Sequence, residues 1–505
     1  MEKTIQQIKN SFRRKIISAG VLFAVVLSLA GGASVLYTAD KYPTIEEILQ
    51  FPEEKIDLGL VALIVEKEVE PALDIDFCLK ELDNMAMAIR ERTAGEINPR
   101  KIIEKINEYL FKEIGLKYQD PLYYHKTAPK DPKDAFLFPA IIDKKGNCTS
   151  FTTLYLALAY RLNLSLYPVR ILFHNFPRYD DGKVRINIET TAEGKKLSNS
   201  YYIKYWKEQY IPMPREDIRK GKYLSNMSRK EYVGTIILSR GLLYSDGKNP
   251  DFDKAIKDYK KASELKLLEP VIYLNMGHCY NKKGLYEKAI QYFTKAIEIY
   301  PYYAYAYKNR AVVYSSIKNY EKALQDIGKS IEINPTSAEA YNTLGSIYYS
   351  KEDYAKAGQY YEKTILLGPE YANGHYNLGM VNFQLEKNKD ALINFEKAIE
   401  LGMRSTAIYQ MAGICYANEK MYNEAITVLN KAIAISVASG KPANIGIYFN
   451  LGDVYYHLGK LEEARENYEQ ILKIDAKNKG AFERLQWLKE GKVFEVDSGD
   501  NSGKN

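Results

Sequence analysis

An alanine recurs every 34 residues through the C-terminal half of this chain, at Ala255, Ala289, Ala323, Ala357, Ala391 and Ala425, and once more at Ala464 after five extra residues. A period of this size means that one small supersecondary unit is repeated, each copy burying its apolar face only by stacking on the next. The pattern inside a period is that of a helical hairpin. Twelve residues before the alanine stands a small residue (Gly277, Ala311, Gly345, Gly379, Gly413, Gly452), where two helices can approach closely because little or no Cβ intervenes. Large residues fill the space around it: Tyr280, Tyr314, Tyr348, Tyr416 and Tyr455 three places after the small residue, and Phe293, Tyr361, Phe395 and Tyr468 four after the alanine. The 44 tyrosines of the chain are thus largely repeat core. Pro301, Pro335 and Pro369 end successive hairpins, since proline cannot continue a helix.

The pattern predicts seven hairpins over 229–491. The first is irregular, with Ser245 to Pro250 inserted between its helices; a capping helix near Gly480 to Glu490 closes the array, and 492–505 is a disordered polar tail. In these positions the segment resembles the tetratricopeptide repeat family. The resemblance implies an all-α solenoid whose concave groove holds a protein or peptide partner. It also implies which side chains line that groove: those three before and one after each small residue. Leu274, Lys308, Asn342, Tyr376, Met380 and Phe449 fall there, with Phe383 and Tyr456 adjoining. Clamping an acidic C-terminus needs several converging Lys, Arg and Asn side chains, and only Lys308 and Asn342 come close. The expectation is a partner held by aromatic and apolar contacts, with weak salt dependence.

The formal net charge of +7 suggests nucleic acid until its location is considered. Lys3, Lys9, Arg13, Arg14 and Lys15, less Glu2, supply more than half of it, and the rest of the chain is nearly balanced. No electrostatic footprint for nucleic acid remains. The basic segment 1–15 is followed by an uncharged run, 16–39, long enough to span a bilayer. Basic residues before the run and acidic ones after it place the N-terminus in the cytoplasm and the bulk outside, giving a single-pass membrane protein of the cell envelope. The competing reading is a cleaved signal segment, since Gly31, Gly32 and Ala33 suit a processing site.

Between that run and the repeats lies a region, 42–214, that reads as α+β, with 215–228 as a linker. Helical apolar spacing covers Leu58 to Glu66, Phe77 to Arg90, Pro99 to Glu113 and Thr149 to Leu162. Tyr167 to Phe173 and Val184 to Ile188 read as strands joined by a turn at Asp180 to Gly182. Four cysteines lie far apart with no CxxC pair, so neither a disulfide framework nor a zinc site is indicated. Cys148 nevertheless stands out, because it immediately precedes a helix, where unpaired N–H groups and the helix dipole favour an anion. His174 ends the first strand, and Asn187 and Glu189 share one face of the second because side chains alternate with period two. A thiol at a helix start, an imidazole on a strand and an acid or amide beside it make an arrangement suited to acyl transfer.

The stretch from Gly146 to Thr191, GNCTSFTTLYLALAYRLNLSLYPVRILFHNFPRYDDGKVRINIETT, resembles the transglutaminase-like superfamily, whose fold is papain-like, in particular a bacterial branch carrying tetratricopeptide repeats behind that domain. The resemblance makes Cys148 the nucleophile, His174 its histidine and Glu189 its acid, with Asn187 the alternative. The acid is Glu where Asp is commoner, and Pro177 interrupts the stretch after His174. The activity implied by the resemblance is that of a cysteine peptidase or transamidase needing no cofactor or metal. The alternative is a non-catalytic scaffold for protein assembly.

Overall fold

A computed structural model describes residues 42–119, 132–172, 174–208, 212–247, 249–267, 269–440 and 444–490. Two compact units are present. Of the described residues, one comprises those up to Asn199 with Glu216–Leu243 and Leu265–Leu267; the other comprises those of Ser200–Arg215 and Tyr244–Glu264 and those beyond 268. The expected membrane segment, 16–39, lies outside the described residues. Among the described residues no helix is long and apolar enough to cross a membrane.

The first unit is α+β. Its chain begins with α1 (Ile45–Ile48), α2 (Leu58–Lys67), α3 (Ile75–Thr93) and α4 (Pro99–Asn107), and later forms α5 (Leu137–Ile142) and α6 (Cys148–Leu162). Helix α6 carries ten buried residues, Ser150 through Ala159. A helix apolar on all sides belongs at the centre of a core, and Phe151, Leu154 and Tyr155 are almost wholly inaccessible. Two short strands, β1 (Lys117–Tyr118) and β2 (Lys145–Gly146), pair in parallel just before α6. The main sheet is antiparallel in the order β3 (Leu166–Ile171), β4 (His174–Asp180), β5 (Arg185–Glu189), β6 (Lys195–Lys196).

Two expectations are corrected here. His174 does not end a strand but begins β4, which folds straight back on β3 with Ile171 opposite His174; the turn at Asp180 to Gly182 therefore joins β4 to β5. Pro177 fits inside β4 because it faces Pro168, so neither ladder position needs an N–H. The β4–β5 register runs from Arg178↔Asn187 to Asp180↔Arg185 and ends beside Pro177.

The segment read as a linker is also built in. Leu224 and Met227 donate backbone N–H bonds to the carbonyls of Arg170 (2.9 Å) and Pro168 (2.8 Å), extending the sheet beyond β3. Helix α7 (Asn199–Glu208) and α8 (Arg215–Arg219) precede this segment, and α9 (Arg229–Asp246) follows it. The first helix expected of the repeats, α9, buries Tyr232, Val233, Ile236 and Ile237 and belongs to the first unit as far as Leu243. Conversely, Ser200–Arg215, expected in the α+β region, groups with the repeats, where the Pro212 carbonyl accepts a bond from Tyr300 Oη at 2.9 Å.

The second unit is the solenoid. After the helix Phe252–Glu264, six hairpins run from Pro270–Lys282 with Tyr286–Ile299 to Ile445–His457 with Leu461–Ile474, and Lys479–Glu490 caps them. The small residues do what the pattern requires. A Cβ on Gly277, Gly345 or Gly379 would lie 2.6 to 2.7 Å from the ring of Phe293, Tyr361 or Phe395. Where alanine replaces glycine, at Ala311, the residue in the large position is the slimmer Ile327, and both are buried in one cluster.

Candidate active site

Asn147 caps helix α6, its Oδ1 accepting from the N–H groups of Thr149 (2.8 Å) and Ser150 (3.3 Å), while Ser150 Oγ accepts from Asn147 N–H at 2.8 Å. This reciprocal cap fixes where the helix begins, and so fixes Cys148 as its first residue. Cys148 is part-buried, whereas Cys78, Cys279 and Cys415 are buried. Burial pushes those three thiols up, to about 11, 12 and 12 respectively.

His174, at the start of β4, joins the other two residues. Its Nε2 lies 2.9 Å from Glu189 Oε2, and Cys148 is near enough to act on the ring electrostatically. Glu189 sits at the end of β5; its other oxygen, Oε1, accepts from Thr191 N–H (3.0 Å) and Thr191 Oγ1 (2.7 Å). The His174 side chain is 13% exposed and that of Glu189 6%. Burial disfavours both charges, but each stabilises the other more strongly. The Glu189 carboxylate and Cys148 raise the imidazole to about 10. His174 and the Thr191 donors hold Glu189 down to about 2. The longer Glu side chain therefore reaches the imidazole without difficulty.

Asn187 is on the same face but serves another purpose. Its Oδ1 accepts from Arg178 Nε at 2.6 Å, and its Nδ2 donates to the Leu197 carbonyl and Asn199 Oδ1, each at 2.9 Å. Arg178, 1% exposed, also donates to the Leu224 carbonyl (2.9 Å), Asn226 Oδ1 (3.2 Å) and Asn199 Oδ1 (3.1 Å). It ties β4, β5 and the 224–226 edge together. Neither Arg178 nor Tyr232 stands out in the sequence. Their importance arises from register and from contacts distant in sequence, which periodicity does not encode.

The side chains expected to line the groove are all part-buried. Lys308 is ion-paired with Glu339. Asn342 Oδ1 accepts from Asn377 Nδ2 at 2.8 Å. Tyr376, Met380 and Phe383 pack against the cluster around Phe395, and Phe449 and Tyr456 against that around Tyr468, with the Arg484 guanidinium 4.8 Å from the Phe449 ring. Leu274 lies within the helix Pro270–Lys282, the first of the six regular hairpins.

Comparison with known proteins divides along the same line. Residues 76–236 match the model of the transglutaminase-like superfamily. Residues 270–303, 304–337, 328–359, 372–401 and 403–477 match models of the tetratricopeptide repeat. Heat shock protein STI1 of Saccharomyces cerevisiae is 37% identical over 78 residues, which is 15% of this chain and only 12% of that protein. Among solved structures, PilF of Pseudomonas aeruginosa is 22% identical, covering 44% of this chain and 97% of its own, at a TM-score of 0.38. YrrB, described as a TPR protein with an unusual peptide-binding site, is 30% identical, covering 38% and 97%, at a TM-score of 0.34. The chain therefore carries a domain of the transglutaminase-like superfamily, matched over 76–236, followed by tetratricopeptide repeats between 270 and 477.

Proposed function

We propose that this protein is a cysteine-dependent acyl-transfer enzyme acting on amide bonds of a protein or peptide, recruited by the repeats and tethered to a membrane through 16–39. The observation that carries the reading is one imidazole, His174, 2.9 Å from the buried Glu189 carboxylate and close to the thiol of Cys148, which unlike the other three cysteines is not buried. In the proposed reaction the proton of the pair rests on His174 from the start, and the anionic sulfur of Cys148 attacks the carbonyl carbon. As the C–N bond breaks, the imidazolium returns that proton to the departing amine, leaving a thioester on Cys148. Water or a second amine then attacks the thioester while His174 accepts its proton, and the C–S bond breaks. Glu189 stays ionised throughout, orienting the ring and stabilising its charge.

The repeats would hold the partner through the part-exposed edges of Leu274, Tyr376, Met380, Phe383, Phe449 and Tyr456, with Asn342 supplying a polar contact. Weak salt dependence is expected, since Lys308 already has Glu339 as its counter-charge.

Rates of iodoacetamide alkylation at each cysteine of the full chain, read by peptide mass spectrometry at about pH 6, test the catalytic reading. Cys148 should react first, and His174→Ala should slow it by roughly tenfold or more. Reaction no faster than that of an ordinary exposed thiol, unaffected by His174→Ala, would leave the chain as a scaffold.

A further inference from the structure

Tyr232 is 0% exposed, on a helix that the repeat pattern assigned elsewhere, yet its hydroxyl lies behind the reacting pair. It is 3.2 Å from the Thr149 carbonyl, 3.1 Å from Thr153 Oγ1 and 3.4 Å from Asn175 Oδ1. Thr149 directly follows Cys148, and Asn175 directly follows His174. Asn175 also donates from Nδ2 to Thr149 Oγ1 at 3.1 Å, and Thr152 Oγ1 donates to the Asn175 carbonyl at 3.3 Å. The chain neighbours of the thiol and of the imidazole are thus bonded to each other, with one phenolic hydroxyl at the joint. The spacing of Cys148 and His174 is a distance between a helix start and a strand start. Neither the ladder of β3 with β4 nor the internal bonds of α6 determine it.

We propose that Tyr232 is a positioning residue for Cys148 and His174, its hydroxyl locking the first turn of α6 to the start of β4. The proposal rests on the acyl-transfer reading. The charged and titratable groups that meet at the pair are Glu189 from β5, His174 from β4, Cys148 from α6 and Tyr232 itself from α9.

Tyr232→Phe removes the hydroxyl and keeps the packed ring, so the fold should survive; Asn175→Ala removes the other half of the joint. The test is the pH profile of iodoacetamide alkylation at Cys148 in the full chain, with a melting curve for each variant. The wild-type profile should have a low-pH limb that depends on His174. Tyr232→Phe should lower the rate at about pH 6 roughly tenfold and leave the rate at about pH 9 within roughly twofold, because misplacement weakens only the help the imidazole gives. Asn175→Ala should act in the same direction, and the double variant should fall no further than the worse single one, as expected for one coupled unit. A Tyr232→Phe profile superimposable on the wild type would overturn the proposal. So would an equal loss at every pH accompanied by a lower melting temperature, which marks a purely structural role. A wild-type profile with no low-pH limb would overturn the acyl-transfer reading itself, and that result is visible without any variant.

Discussion

His174 carries a charge that the fold sustains. Its raised affinity for the proton means that the stabilisation from Glu189 is fully present below about pH 6.5, the ordinary imidazole value, and is lost as pH rises through about 10. Glu189 works in the opposite sense: its stabilisation is present above about pH 4.5 and is lost as pH falls toward about 2. The pair thus contributes most between these limits. Glu189→Gln should lower stability at about pH 6 by roughly 1.5 to 3 kcal/mol and flatten the decline toward alkaline pH, both read from urea midpoints. An unchanged pH slope would mean that the imidazole is not held charged by Glu189. The sequence singles out Cys148 and Glu189 by place, a helix start and a neighbouring strand, whereas His174 opens one strand where the sequence pattern has it close another. Asn187 could not be told from Glu189, since period two puts them on one face. What separates them is the register that sets Asn187 opposite Arg178, and β4 itself was hidden by Pro177.

Between elements, the repeat array was the most legible part, because each hairpin restates the same contact. Gly345 faces Tyr361, whose ring a Cβ would meet at 2.6 Å and which is only 2% exposed. Gly345→Ala should therefore destabilise the array by about 1 to 3 kcal/mol through overpacking. Ala311, whose facing residue is Ile327, marks the pairing that already tolerates a methyl group. A denaturation midpoint unmoved by Gly345→Ala would show that the ring can shift freely. The boundary between the two units was not legible. Helix α9 has a small, apolar-rich composition like that of a repeat helix, and only its tertiary partners, such as Glu53 accepting from Arg229 N–H at 2.7 Å, place it in the α+β unit. The segment around Leu224 to Met227 looked like a linker for a related reason: a short edge without alternation carries little signal until its backbone bonds to β3 are seen.

For the whole molecule, composition separated the charge of 1–15 from the balanced remainder, and two domain families were readable from motif and period. After the outer layers of intact cells are opened, added protease should digest the repeats, and the protein should sediment with membranes; recovery of full-length chain in the soluble cytosol would contradict the proposed membrane tether. The proposed chemistry is tested by acyl transfer to Cys148 from an activated ester, p-nitrophenyl acetate, followed as a burst of p-nitrophenolate and as an acetyl adduct located by mass spectrometry. The expected result is a burst approaching one equivalent, an adduct on Cys148 released by hydroxylamine, and loss of both in Cys148→Ala and His174→Ala. Acetylation spread over lysines, with no burst and no dependence on Cys148, would contradict that chemistry.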